Sequence, residues 1–251
     1  MKKHFLISTF LFLILGCSSI EDSIEPSTEK KYYVKKNTTE IGGDIQVFEY
    51  RFDLNFRPIE FFKNNSSYFK IIYSNARVDK IISSYDNSYF SIFEYENNKL
   101  TNIKSYENNS HFKNTSYTYD QYNRVKKIEE CNISSDLCEK YEFEYNLLGN
   151  ITKWKSLSGI SNNYEINWEL NNLSFDVMKH PFLNFDDDFK LYLLINNNSV
   201  NINNVIKNKR AEETNKYIYE YNEDGYPIKV QRYNVDNTLI STDFIEYEIQ
   251  E

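Results

Sequence analysis

A recurring phrase constrains the fold of this chain more than any other feature. It consists of an aromatic pair, a turn-forming residue, a short gap, often a basic residue, then an apolar residue with another three positions on. The clearest copies are Phe143-Glu144-Tyr145-Asn146-Leu147-Leu148-Gly149-Asn150-Ile151-Thr152-Lys153-Trp154 and Tyr219-Glu220-Tyr221-Asn222-Glu223-Asp224-Gly225-Tyr226-Pro227-Ile228-Lys229-Val230. Tyr117 to Ile128 repeats it with Asn123 in place of the glycine, and Tyr50 to Phe61 leads through Arg57-Pro58. Shorter-turned versions follow Tyr73 and Tyr95. The anchors before the turns, Phe52, Tyr73, Tyr95, Tyr119, Tyr145, Trp168, Ile195, Tyr221 and Tyr247, lie about 21 to 27 residues apart. That period marks a stacked repeat, and each unit fits two short strands and two turns.

The turns support hairpins. Asn146-Leu147-Leu148-Gly149 suits a type I turn followed by a left-handed residue in a G1 bulge, a conformation that Gly149 and Gly225 adopt without a Cβ clash and Asn123 tolerates. This geometry sets Tyr145 opposite Ile151, Tyr119 opposite Val125 and Tyr221 opposite Pro227, and strict alternation then sends Trp154, Ile128 and Val230 to the other face. With both faces partly apolar, the expectation is an all-β fold: an antiparallel meander of repeated hairpins forming a curved or rolled sheet. The rhythm fades near 170–210, where His180-Pro181-Phe182 and Asp186-Asp187-Asp188 suit a helix or an irregular insertion. Over residues 48–154 and 217–247 the phrase resembles the YD, or RHS-type, hairpin repeat. The whole chain resembles uncharacterised Bacteroidota lipoproteins built from degenerate copies of it, which implies a hairpin fold and an envelope location and carries no known activity.

The first residues give an address. Lys2-Lys3, the apolar run Phe5 to Leu15 and Gly16-Cys17 follow the order of a bacterial lipoprotein signal. The run is too short for a bilayer-spanning helix and fits a signal core. Residues 1–16 are therefore expected to be removed, with Cys17 lipidated and holding the protein to a membrane, most simply the outer membrane and facing outward. Residues 17–31 read as an acidic tether, in which Asp22-Ser23-Ile24 resembles a Bacteroidota O-glycosylation sequon and the acidity resembles a surface-export signal. A single β-repeat domain spans 32–251.

A formal net charge of −8 and the lack of a basic stripe argue against nucleic acid. An aromatic fraction of 17% with only 6 Gly and 4 Pro favours a packed β core. Once Cys17 carries lipid, Cys131 and Cys138 remain as a pair in a disulfide-permitting compartment, flanking a connection between antiparallel strands, and are expected to bond. His111 and His180 are too few for a histidine metal centre or a triad, and no nucleophile or phosphate-loop motif is present. Glu144, Glu220 and Glu246 read as solvent-facing strand residues near lysines such as Lys153 and Lys229. Asp186-Asp187-Asp188 lacks calcium-loop spacing and reads as a solvated turn. No catalytic residue, metal or cofactor is expected. Trp154 and Trp168 are the candidate exposed aromatic contacts. The reading is a non-enzymatic envelope lipoprotein presenting a binding or structural surface to a glycan or an envelope protein. The alternatives are a carbohydrate-binding or carbohydrate-active surface protein and an RHS-like toxin-associated fragment.

Overall fold

In a computed structural model, residues 30–160, 163–197 and 201–251 are described, and the signal (1–16), Cys17 and nearly all of the tether lie outside them. The described residues form β1 (Lys31–Ile41), β2 (Asp44–Phe52), β3 (Pro58–Lys63), β4 (Ser66–Ser74), β5 (Arg77–Ser83), β6 (Tyr89–Glu96), β7 (Lys99–Glu107) and β8 (Ser110–Tyr119). They continue through β9 (Val125–Asn132), β10 (Leu137–Tyr145), β11 (Ile151–Ile160), β12 (Asn163–Lys179), α1 (Asp187–Asn197), β13 (Asn203–Arg210), β14 (Glu213–Tyr221), β15 (Pro227–Tyr233) and β16 (Leu239–Gln250). Every strand pairs antiparallel with its sequence neighbour, and β1 pairs with β16 from Lys31↔Gln250 to Ile41↔Ser241. The meander of hairpins is thus a closed barrel, not the curved or rolled sheet anticipated, and closure leaves no sheet edge.

One backbone device explains the difference. In β10–β11 the register steps from Glu144↔Lys153 to Tyr145↔Ile151, leaving Thr152 over as a β-bulge. The same step passes over Ile59, Asp79, Thr101, Lys126 and Ile228 in the other repeats. A bulge shifts alternation by one, so apolar residues three apart point the same way. Val125 and Ile128, Ile151 and Trp154, Val78 and Ile81, and Leu100 and Ile103 are accordingly all buried in one core inside the barrel. Trp154, Ile128 and Val230 do not face away from their partners, because strict alternation ignores the bulge.

The bulges sit at the rim carrying the turns 53–57, 75–76, 97–98, 120–124, 146–150 and 222–226, called here the turn rim. Gly149 and Gly225 take φ of +88° and +80°, and Asn123 takes +63°. In the turn after Tyr145, Gly149 N–H donates to the Asn146 carbonyl at 3.1 Å. At this rim a tyrosine of six of the eight even-numbered strands donates its hydroxyl to the carbonyl of the first apolar residue of the preceding strand. The bonds are Tyr73 to Pro58 (3.0 Å), Tyr95 to Val78 (2.6 Å), Tyr119 to Leu100 (2.7 Å), Tyr145 to Val125 (2.7 Å), Tyr219 to Val205 (2.8 Å) and Tyr247 to Pro227 (2.7 Å). In β12, whose Tyr164 lies near the other rim, Asn172 Nδ2 serves the Ile151 carbonyl at 2.7 Å. The basic residue of the phrase covers the same ring: Arg57 lies over Tyr73, Arg77 over Tyr95 and Arg124 over Tyr145, 4.2 to 4.6 Å from the ring centres.

The outer face is charged. Cross-strand or same-strand pairs ring the barrel, among them Lys36–Glu246 (2.9 Å), Arg51–Glu60 (3.3 Å), Lys104–Glu94 (2.6 Å), Lys127–Glu129 (3.2 Å), Lys140–Glu142 (3.1 Å), Lys153–Glu169 (3.4 Å) and Lys229–Glu220 (2.7 Å). Glu144, Glu220 and Glu246 occupy this face beside their lysines, as strand residues facing solvent. At the opposite rim Cys131 and Cys138 are register partners joined by a disulfide across the 133–136 turn.

Replacing Tyr119 with Phe removes only the hydroxyl and leaves the Leu100 carbonyl without that donor. The expected cost is about 1 to 2 kcal/mol in urea denaturation, whereas Tyr122→Phe at the exposed turn tip should leave the transition unchanged.

Candidate functional site

A barrel of this strand number is too wide for its own side chains to fill. The connection between β12 and β13, the break in the repeat, supplies the filling. His180 to Phe185 turns inward from the turn rim, and α1 packs its apolar side on the luminal rings. Phe185 lies 5.3 Å from Tyr50 and 5.9 Å from Phe52, Phe189 lies 6.1 Å from Tyr50, and Tyr192 lies 5.6 Å from Phe69. Phe189, Leu193 and Leu194 are buried. Ile195 falls within α1 and Trp168 within the long β12, so neither ends a hairpin strand as the repeat spacing predicted. The spacing persists there only because the insertion is about as long as a repeat.

The three aspartates latch this plug. Asp186 caps the helix, its Oδ1 accepting from Phe189 N–H at 2.8 Å, while its Oδ2, 3.0 Å from the Tyr73 hydroxyl, shares that hydroxyl's one proton with the Pro58 carbonyl. Burial pushes the Asp186 carboxyl above the usual aspartate range, despite the Phe189 and Tyr73 hydrogen bonds. Asp188 receives a two-pronged bond from Arg77, Nε to Oδ2 at 2.5 Å and Nη2 to Oδ1 at 2.6 Å, and is itself buried. Only Asp187 is the solvated residue that the sequence suggested for all three. Sequence alone missed the latch because its partners, Tyr73 and Arg77, lie more than a hundred residues away.

Asparagines secure the return. Asn150 Oδ1 accepts from the backbone N–H of Ile202 (2.9 Å) and Asn203 (2.8 Å), and Asn201 Oδ1 accepts from Ile151 N–H (2.7 Å). Asn204 Nδ2 donates to Asp176 Oδ2 at 3.2 Å and to the Lys179 carbonyl at 3.1 Å. Near the β1–β16 seam, Asn184 Nδ2 donates to the Tyr32 carbonyl and the Tyr226 hydroxyl, both at 2.9 Å. Tyr32 stacks on Tyr226 and donates to Asp224, which together with burial pushes its phenol up to about 12.

Beneath the plug, on the side away from the turn rim, the lumen keeps a cavity of about 410 Å³. Its walls are aromatic and amide. Phe48, Tyr50, Phe61, Trp154 and Phe182 face Asn37, Thr39, Asn172, Asn204, Asn208 and Tyr217, with Asp243 as its carboxylate. Thr39 Oγ1 donates to Asp243, and Asn208 Nδ2 donates to the Tyr217 hydroxyl at 2.9 Å. Trp154 is 2% exposed and Trp168 is partly buried, 5.3 Å from Trp154 with Arg210 over its ring. Neither is the exposed contact expected: the bulge turns Trp154 into the core, and its ring packs against Trp168. His111 lies on the outer face, 5.2 Å from Tyr106, while His180 lines the cavity. Among the described residues no cluster of histidine, cysteine and carboxylate could hold a metal ion.

No family model matches the sequence, and no curated protein matches it. Solved structures do resemble the fold. A porin-like protein from Bacteroides vulgatus ATCC 8482 matches with a TM-score of 0.57 at 14% identity, covering 87% of this chain and 99% of that one. A porin-like protein from Bacteroides uniformis ATCC 8492 matches with a TM-score of 0.54 at 10% identity, covering 86% of this chain and 96% of that one. At such identities the likeness establishes the barrel fold alone. The class defined here is a closed antiparallel barrel with an ion-paired exterior and a plugged, aromatic lumen.

His180 offers a pH test. Its Nδ1 accepts from Phe182 N–H at 3.3 Å, and burial pulls the imidazole down from 6.5 to about 3. The unfolded chain binds a proton below pH 6.5 while the folded chain refuses it until about 3, so stability should fall as pH drops through that window. His180→Asn, whose Oδ1 can take the same amide, should flatten the decline between pH 6.5 and 5, by up to about 1.4 kcal/mol per pH unit. Parallel denaturant titrations of the two proteins measure it.

Proposed function

We propose that this chain is a non-enzymatic lipoprotein of the cell envelope whose barrel stands in water beside the membrane as a binding module. The observation that carries this reading is the charged outer face. A membrane-spanning barrel turns an apolar band outward and keeps a polar interior, and each lysine or arginine at mid-bilayer costs about 2 to 4 kcal/mol. Here lysine–glutamate pairs ring the outside, interspersed with exposed apolar residues such as Ile72, Ile218 and Phe244, and the buried apolar core fills the inside. The plug blocks the lumen that would otherwise conduct.

Anchoring comes from the sequence, where Gly16-Cys17 ends a lipoprotein-type signal. Because β1 starts and β16 ends at the turn rim, the lipid on Cys17 would hold that rim toward the membrane, within roughly 45 Å at about 3.5 Å per residue. The cavity end of the barrel then points outward. The outer membrane is the compartment that this address fits.

Two experiments decide these points. In planar bilayers the mature protein should give no conductance steps, and channel events would reverse the inside-out reading. Changing Cys17 to Ala should move the protein from the membrane fraction to the soluble fraction, and a mutant that still sediments with membranes after a salt wash would refute lipid anchoring.

A further inference from the structure

We infer that the luminal cavity is a binding site for a neutral, hydroxyl-rich ligand of about one or two sugar units, an inference that rests on the binding-module reading. Two buried polar atoms bordering the cavity lack hydrogen-bond partners: the Trp154 Nε1–H donor and the Asn37 Oδ1 acceptor. Among the described residues Ser88 Oγ, the Tyr117 hydroxyl and Arg232 Nε are also buried without a partner, but only the Trp154 and Asn37 atoms border this cavity, where an occupant can reach them. One is a donor and the other an acceptor, and they sit on β11 and β1, six strands apart around the ring. A hydroxyl both accepts and donates, so a molecule carrying several hydroxyls answers both groups at once.

The rest of the lining agrees. The rings of Trp154, Tyr50 and Phe48 offer apolar faces to a C–H surface. Asn208, Tyr217 and Asp243 add neutral and acidic hydrogen-bonding groups. No lysine or arginine lines the cavity among the described residues, His180 is held neutral by burial and Asp243 lines it as a carboxylate, so the lining itself disfavours an anionic ligand. A purely apolar ligand would leave both orphans and the amides unanswered. About 410 Å³ lies within the range of small-molecule sites.

Both tryptophans of the chain lie at or beside this cavity, so their emission reports its occupancy. The mature chain carrying Cys17→Ala to keep it in solution is titrated with glucose, galactose, mannose, N-acetylglucosamine, maltose and cellobiose, each into the tens of millimolar. In parallel it is titrated with the apolar probe N-phenyl-1-naphthylamine. At least one sugar is expected to shift the emission saturably, and calorimetry should show its affinity falling roughly tenfold in both Asn37→Leu and Trp154→Phe, with melting curves confirming that the variants fold. If the apolar probe binds and no sugar does, the ligand class is wrong while the binding-module reading stands. If neither binds, both readings fall. Sugar binding that survives both substitutions would place the site elsewhere and overturn the inference.

Discussion

The structure depends on a bulge repeated at one rim and on the hydroxyl that accompanies it. An extra residue in each odd-numbered strand disrupts the ladder locally, and a lost backbone hydrogen bond in a buried region costs about 1 to 3 kcal/mol. The tyrosine of the next strand reaches that carbonyl, from Tyr73 on Pro58 round to Tyr247 on Pro227. The bulge sorts the faces and the tyrosine makes the bulge tolerable. Arginines laid over the same rings screen them from water at the rim.

Face sorting leads to the architecture. With both apolar residues of each phrase turned inward, one face of the sheet is dominated by rings and aliphatic side chains, with amides and hydroxyls among them, and the other is free for Lys and Glu. Such a sheet lowers its free energy by closing on its apolar side, and bulges raise the local twist that closure needs. Closure at this strand number then leaves a lumen to be filled. The insertion after β12 meets that demand with Phe182, Phe185, Phe189, Leu193 and Leu194, and Asp188 on Arg77 ties it to the rim.

Local pairings were legible in the sequence because they are short-range. Tyr145 with Ile151, Tyr119 with Val125, and the left-handed Gly149 and Gly225 follow from a turn of a few residues. The barrel was not legible, since a single bulged residue such as Thr152 has no signature of its own and yet reverses the side on which Trp154 falls. The site was less legible still. Asparagine runs such as Asn201 to Asn204 look like loop, and their buried role appears only when residue 150 lies beside them. Asp188 reads as solvated until Arg77 is placed against it.

The porin-like neighbours resemble this barrel in fold, and a fold alone says nothing about the solvent on either side. A closed antiparallel barrel satisfies its backbone in lipid or in water, so the choice falls to the alternating side chains. In this chain lysine–glutamate pairs lie outside, among exposed apolar residues such as Ile218 and Phe244, and rings lie inside, and reversing that assignment would put charges such as Lys104 and Glu142 into the core. The bulges fix the assignment at every hairpin, because removing one would flip the faces beyond it. A change of solvent would therefore take more than a few surface substitutions, since the bulge of every hairpin would have to move with them.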